Sequence, residues 1–260
     1  MKISFEKYQG TGNDFVMIDN RNLFFPSKNK TLIEKMCDRK FGIGADGLIL
    51  IQKHRKADFE MLYFNADGKE GSMCGNGGRC AVAFAASLKL ISNETSFMAV
   101  DGMHKAIVKK NLVYLKMIDV NGIEKIGNDF FVNTGSPHYV RFVLDLNALD
   151  VVQEGKKIRN NKRFKKLGTN VNFVQFKKNN LVVRTYERGV EDETLSCGTG
   201  VTAAAIIAAY QSNNKALGKY KIETLGGSLS VKLTKKSSEC YSDIWLQGPA
   251  QLVFKGTFSI

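Results

Sequence analysis

The stretch "MCGNGGRC", residues 73–80, sets a cysteine directly before Gly-Asn-Gly-Gly, and "SCGTG" at residues 196–200 repeats the device. Each is followed by an Ala-rich run almost free of charge, "GGRCAVAFAASLKLI" over 77–91 and "GTGVTAAAIIAAYQ" over 198–211. Runs of this kind predict helices hidden on most sides rather than amphipathic surface helices. The two cysteines lie nearly half the chain apart. This spacing predicts two similar half-chains, each built around one buried helix with one cysteine at its start.

Strands dominate the rest. Apolar and alternating runs bounded by turn residues occur at 47–54, 58–68, 112–120, 170–178, 181–189 and 228–236. Asn179-Asn180 predicts a hairpin, because Asn tolerates the positive φ of tight turns. A third helix, amphipathic, is expected over 30–42 with Gly42 as its C-terminal stop. The expected fold class is α+β: two pseudo-symmetric domains, each a strongly bent mixed or antiparallel sheet wrapped around a central helix. The domains are read as 1–118, carrying Cys74, and 119–251, carrying Cys197, with the boundary in the turn chemistry of "MIDVNG" (117–122).

Composition narrows the function classes. With 43% hydrophobic and 24% charged residues the chain is an ordinary globular sequence of 260 residues. Its N-terminus lacks the apolar stretch of a signal peptide, and no run approaches the roughly 20 apolar residues of a membrane span. A cytoplasmic protein is expected. Five cysteines, at 37, 74, 80, 197 and 240, show no paired spacing, and His54, His104 and His138 form no ligand pair. This argues for thiols in a reducing compartment and against structural zinc. The net charge of +13 invites a nucleic-acid reading, but the lysines are dispersed and no recognition motif accompanies them, so specific nucleic-acid binding is not expected.

A helix N-terminus exposes unsatisfied N–H groups and the positive end of the macrodipole. A cysteine placed there has its thiolate stabilised, and the same N–H groups can hold a carboxylate beside the sulfur. Two such sites suit inversion at a carbon bearing an acidic hydrogen: one thiolate removes the hydrogen from one face and the opposite thiol returns a proton to the other. Competing readings fit less well. No Gly-Lys-Ser/Thr closes a P-loop, "GNGGRC" does not match the dinucleotide fingerprint, and a papain-like pair of cysteine with His138 leaves "SCGTG" without a role.

With these motifs in hand, the chain resembles the diaminopimelate epimerase family, pyridoxal-independent two-cysteine epimerases and racemases of amino acids. The resemblance extends to "GTGNDF" (10–15), "DRKFGIGADGLIL" (38–50), "FNADG" (64–68), "GSPHYV" (135–140), "GTNVNFV" (168–174) and "YERGVEDETLSCGTG" (186–200). It implies epimerisation of LL-2,6-diaminopimelate to the meso form, without cofactor or metal, in lysine and peptidoglycan precursor supply, by a homodimer. It implies that Cys74 and Cys197 are the acid/base pair, with Gly75, Asn76, Gly198 and Thr199 as backbone donors to the reacting carboxylate. Asn13, Asn65, Asn170, Glu187 and Arg188 would read the substrate's charged groups, and His138 and Glu187 would influence the thiols. The family also implies that 252–260 returns to complete the N-terminal domain.

Two positions depart from the family pattern. Gly47 stands where many relatives have glutamine and Ser136 where many have asparagine, so Gly47 makes no side-chain contact and the role of Ser136 is open. Within the fold the rival is a proline or hydroxyproline racemase, which has no use for Glu187 and Arg188 reading a second amino-acid head. From another class the rival is a non-catalytic module that binds an anionic amino acid.

Overall fold

The computed structural model describes residues 2–178, 180–212 and 217–260. Two compact units appear, one running through Leu115 and including Gly248–Ile260, the other Lys116–Gln247. In the first, the chain forms β1 (Lys2–Gly10), β2 (Asn13–Asp19), α1 (Lys30–Cys37), β3 (Gly47–Gln52), β4 (Phe59–Asn65), α2 (Gly75–Ser87), β5 (Glu94–Ala99), β6 (Gly102–Lys109) and β7 (Leu112–Lys116). The second holds β8 (Val120–Asn121), β9 (Glu124–Ile126), β10 (Asp129–Asn133), β11 (Pro137–Phe142), α3 (Val151–Arg159), β12 (Asn170–Lys177), β13 (Asn180–Glu187), β14 (Asp192–Thr194), α4 (Gly198–Gln211), β15 (Leu217–Thr224), β16 (Gly227–Lys235) and β17 (Cys240–Pro249). The last strand, β18 (Gln251–Ser259), pairs antiparallel with β1 from Lys2 opposite Ser259 to Gln9 opposite Gln251.

The units share one pattern of pairing. In the first, β1 is antiparallel to β2, β2 parallel to β3, β3 antiparallel to β4, and β4 parallel to β5. In the second, β10, β11, β12, β13 and β15 repeat that succession of directions. Helix α2 touches β1, β2, β3, β4 and β6, and α4 touches β10 to β13, β15 and β16. Strands about 4.8 Å apart put six of them across more than 20 Å, which one helix can touch only if the sheet curls around it.

Both faces of the central strands are buried, which is why "GLILI" reads as one apolar run rather than an alternation. Phe15, Ile49 and Met61 reach the α2 side, where they lie within 3.4 Å of the place a Cβ on Gly77 would take. Val16, Ile18, Leu48 and Leu50 point the other way and pack with Leu32, Ile33 and Met36 of α1. In the second unit Tyr139, Val171, Phe173 and Tyr186 likewise pack with Val151 and Ile158 of α3.

Helix α4 spans the residues its sequence predicts, whereas α2 starts two residues earlier, at Gly75, and the ends of α2 and α1 also differ. Helix α2 stops at Ser87 rather than 91, because Leu88 and Lys89 turn back with Lys89 at φ +58. Helix α1 stops at Cys37, well before Gly42. There Asp38 leaves the helical conformation and its carboxylate accepts from the N–H groups of Lys40 and Phe41, an Asx-type turn that competes with the next helical turn. The hairpin between β12 and β13 sets Lys177 opposite Asn180. Asn179 lies outside the described residues, and the positive φ falls on Lys178.

Candidate active site

Four helices start in two different ways. Helix α1 is capped by Asn29, whose side chain accepts from the Leu32 N–H, and α3 by Asp150, which accepts from Gln153. This is the usual remedy for the orphan donors of a first turn. Helices α2 and α4 instead have Cys74 and Cys197 at the cap position, extended in backbone conformation, and neither side chain makes a capping hydrogen bond. First-turn amides of both helices are thus left to other partners.

Around α2, Cys74 Sγ donates to Asn13 Oδ1 at 3.7 Å. Asn13 opens β2 and in turn donates from Nδ2 to Asp46 Oδ2 at 2.5 Å, so its oxygen faces the sulfur because its nitrogen is engaged elsewhere. Asp46 shares Arg39 with Asp14, and Asp14 is also paired with the buried Lys7 at 2.9 Å. Burial alone would raise the Asp14 carboxyl, but hydrogen bonds from Arg39 and Lys7 hold it well below the usual carboxylate range. Gly75 and Asn76 form the first turn of α2 and are buried. Asn65 closes β4, is exposed, and accepts from the Tyr63 hydroxyl at 2.9 Å.

Gly77 and Gly78 of "CGNGG" serve packing. A Cβ on Gly77 would sit 3.2 Å from Ile49 Cδ1, and one on Gly78 3.3 Å from Leu115 Cδ2. They let α2 lie close to its sheet. Arg79, fully buried on the same helix, donates to the oxygens of Thr11, Gly75 and Pro249 at 3.0, 3.3 and 3.3 Å. No carboxylate lies within ion-pair distance of it among the described residues, and this places a cation against the first turn of α2.

Around α4, Cys197 Sγ lies 3.5 Å from Thr199 Oγ1, and the Thr199 carbonyl accepts from Thr134 at 3.0 Å. Ser136 borders the same loop, its carbonyl accepting from the Thr134 N–H at 3.1 Å. A Cβ on Gly200 would fall 2.3 Å from Asn172 Oδ1 and 3.3 Å from Cys197 Sγ, so the absence of a side chain there lets Asn172 reach the start of the helix. Gly198 accepts from Thr202 at 2.9 Å.

His138 is fully buried on β11, beside Asn170 in the parallel pairing. Burial first, and the positive charge of Arg188 second, push its imidazole down to about 3. It is therefore neutral at physiological pH and cannot form the imidazolium–thiolate pair of a papain-like site. Asn170 is held on both sides, donating to the Pro137 carbonyl at 3.2 Å and accepting from the Arg188 N–H at 2.9 Å. Glu187, at the end of β13, accepts from Thr194 at 2.8 Å, and the exposed Arg188 donates to the Leu167 carbonyl at 3.2 Å.

The remaining cysteines are of another kind. Burial pushes the thiols of Cys37 and Cys80 up to about 12, which makes them inert packing groups. No disulfide joins any of the five cysteines. No helix among the described residues is long and apolar enough to cross a membrane.

Sequence reasoning missed Tyr63, Asp46, Arg79, Thr134, Asn172 and Thr194. Asn172 alone carried a local signal: in "NVNFV" the polar residues fall on every second position and share a face of β12.

The Diaminopimelate epimerase family profile matches residues 5–113 and 130–253. A diaminopimelate epimerase of Flavobacterium psychrophilum is 50% identical, over 96% of this chain and 98% of its own. Among solved structures, a phenazine biosynthesis protein of the PhzF family from Bacillus anthracis superimposes with a TM-score of 0.76 at 15% identity, covering 100% of both chains. A hydroxyproline epimerase from Agrobacterium vitis gives 0.71 at 13%, covering 100% of this chain and 93% of its own. At such identities these two establish a shared fold and nothing finer. The family profile and the extent of the 50% match go further: this chain belongs to the diaminopimelate epimerase family.

Proposed function

We propose that this protein inverts one α-carbon of LL-2,6-diaminopimelate to give the meso isomer, with Cys74 and Cys197 as a two-base pair and no cofactor. The observation that carries the reading is the contrast among the helix starts. At equivalent places in two units of the same topology, a cysteine occupies the cap position without a side-chain capping hydrogen bond, whereas α1 and α3 are capped by the side chains of Asn29 and Asp150. The family membership supplies the substrate.

In this reading one cysteine is a thiolate and the other a thiol. The thiolate takes the α-hydrogen, and the C–H electron pair moves onto the carboxylate as an enediolate. N–H donors of Gly75, Asn76, Gly198 and Thr199 stabilise that charge, because donors fixed in place cost no reorganisation as it develops. The second thiol then gives its proton to the opposite face of the carbon and becomes the thiolate for the reverse direction. Asn13, Asn65 and Asn170 hold the charged groups at the reacting end and beyond it, Glu187 pairs with an ammonium, and Arg188 binds a carboxylate in a fork. Neutral His138 acts on this site through Asn172 rather than as a charged base.

The product feeds lysine and peptidoglycan precursor synthesis, and we place the protein in the cytoplasm, a compartment that suits five cysteines without a disulfide. A homodimer is supported by β18, whose Leu252, Val253 and Phe254 expose apolar surface. Light scattering of the purified protein tests it, with a monomer at micromolar concentration as the contrary result.

The decisive experiment follows α-hydrogen exchange and meso product by proton NMR, using reduced, cofactor-free protein and LL-diaminopimelate in deuterium oxide. Exchange with inversion supports the reading. No exchange with this substrate overturns it, and proline and hydroxyproline then separate a racemase from a binding module.

A further inference from the structure

Tyr63 sits in a slot made by two glycines. A Cβ at Gly47, which lies opposite Asn65 in the β3–β4 pairing, would fall 2.5 Å from Tyr63 Cε2 and 2.4 Å from the Phe64 carbonyl oxygen. One at Gly71 would fall 2.5 Å from Tyr63 Cε1 and 3.1 Å from Asn65 Nδ2. Neither glycine has a positive φ. What the site needs from them is therefore space and not conformational freedom. Phe15 meets the same ring edge to face, with centroids 5.8 Å apart. A ring walled on both edges and packed on Phe15 has little choice of position, and its hydroxyl is delivered to Asn65 Oδ1 at 2.9 Å.

An asparagine amide presents an acceptor at one end and two donors at the other. We propose that Tyr63 is a positioning residue for substrate binding: its hydroxyl occupies the Asn65 oxygen and turns the Asn65 Nδ2 donors toward a carboxylate of the substrate, with Gly47 and Gly71 forming the slot that admits the ring. The inference rests on the reading of Asn65 as a substrate contact, and it deepens that reading by assigning the amide to a carboxylate rather than to an ammonium.

The test is a double-mutant cycle in steady-state kinetics with LL-diaminopimelate. Tyr63→Phe keeps the ring and removes only the hydroxyl. Loss of one neutral hydrogen bond that organises binding raises KM about fivefold, with kcat within twofold of the parent and an unchanged Tm. Asn65→Ala raises KM by at least as much, and adding Tyr63→Phe to Asn65→Ala changes nothing further, because the hydroxyl has lost the group it orients. Three results overturn the proposal. If Asn65→Ala leaves KM unchanged, the substrate-binding reading of Asn65 fails and the positioning role falls with it. If Asn65→Ala raises KM while Tyr63→Phe does not, the binding reading stands and the positioning role alone is wrong. If the effect of Tyr63→Phe persists in the Asn65→Ala background, Tyr63 acts by another route.

Discussion

Asn172 and His138 fix each other's chemistry inside the second unit. The Asn172 Nδ2 atom lies 3.0 Å from the Tyr139 carbonyl and 3.1 Å from His138 Nδ1. A carbonyl can only accept, so that atom is the amide nitrogen, and the ring nitrogen facing it accepts as well. The imidazole is therefore neutral with its proton on Nε2, in agreement with a buried ring whose protonation is pushed down to about 3.

The sign of the resulting pH dependence follows from linkage. Between the ordinary histidine value of 6.5 and about 3, the unfolded chain holds a proton at His138 that the folded chain refuses. Stability therefore falls as pH drops below 6.5, by up to about 1.4 kcal/mol per pH unit from this group. His138→Asn, which keeps an acceptor toward Asn172, flattens the slope by about one proton between pH 6.5 and 4.5. Denaturant titrations across that range, comparing parent and variant, check it; equal slopes would mean that His138 takes up its proton while folded.

Under the proposed two-base mechanism, either thiol alone can exchange a hydrogen but lacks the partner that completes inversion. Cys74→Ala and Cys197→Ala each lower the epimerisation rate by about 10³-fold, within the usual range for removing a general acid or base. Each variant also continues slow washout of the α-hydrogen from only one stereoisomer, and the two variants select opposite isomers. Proton NMR in deuterium oxide on the LL and meso compounds reads both effects. Full turnover by either variant refutes the two-base mechanism.

Gly200 has no room for a methyl group. Its Cβ would meet Asn172 Oδ1 at 2.3 Å, and Asn172 is anchored by Thr185 as well as by His138 and the Tyr139 carbonyl. Gly200→Ala therefore costs about 1–3 kcal/mol, as overpacking of a filled core does. Thermal unfolding measures it, and an unchanged Tm would show that Asn172 moves freely.

Two aspartate–cation contacts in the first unit separate a buried charge from an exposed one. Asp14 joins Lys7, whose side chain is 7% exposed, whereas Asp19 meets Arg21 at 33%. Removing Asp14 leaves the Lys7 ammonium buried against the Gly44 carbonyl with its counter-charge gone. Asp14→Ala is expected to destabilise by about 3–5 kcal/mol, and Asp19→Ala by less than about 1 kcal/mol. Urea denaturation at neutral pH distinguishes them, and comparable losses would contradict the burial argument.

What could be read in advance follows from how local each signal is. The Ala-rich runs after Cys74 and Cys197 announced buried helices because a helix touched by strands on most sides has no polar stripe, and α4 shows that pattern from Gly198 through Ala209. The end of α1 was misplaced because Gly42 looked like the stop, while the event that ends the helix is a carboxylate turn at Asp38. In the site, the cysteines stood out through their repetition. Tyr63, Asp46 and Arg79 did not, because their meaning lies in partners reached only through folding, such as Asp46 with Asn13 and Arg79 with the Pro249 carbonyl. Nor does the sequence show that Gly77 and Gly78 face apolar side chains of their own unit.

The pairing of β1 with β18 also orders events during synthesis. The second unit is continuous in sequence, so a nascent chain carries all of it once Gln247 has left the ribosome. The first unit precedes it in sequence, yet its edge stays open until Ser259 arrives to lie against Lys2. During translation the first unit waits on a strand made only after the whole second unit, holding the unpaired backbone groups of β1 available to any other extended segment. Loss of β18 thus strikes at the unit that lies on the far side of the second unit in sequence.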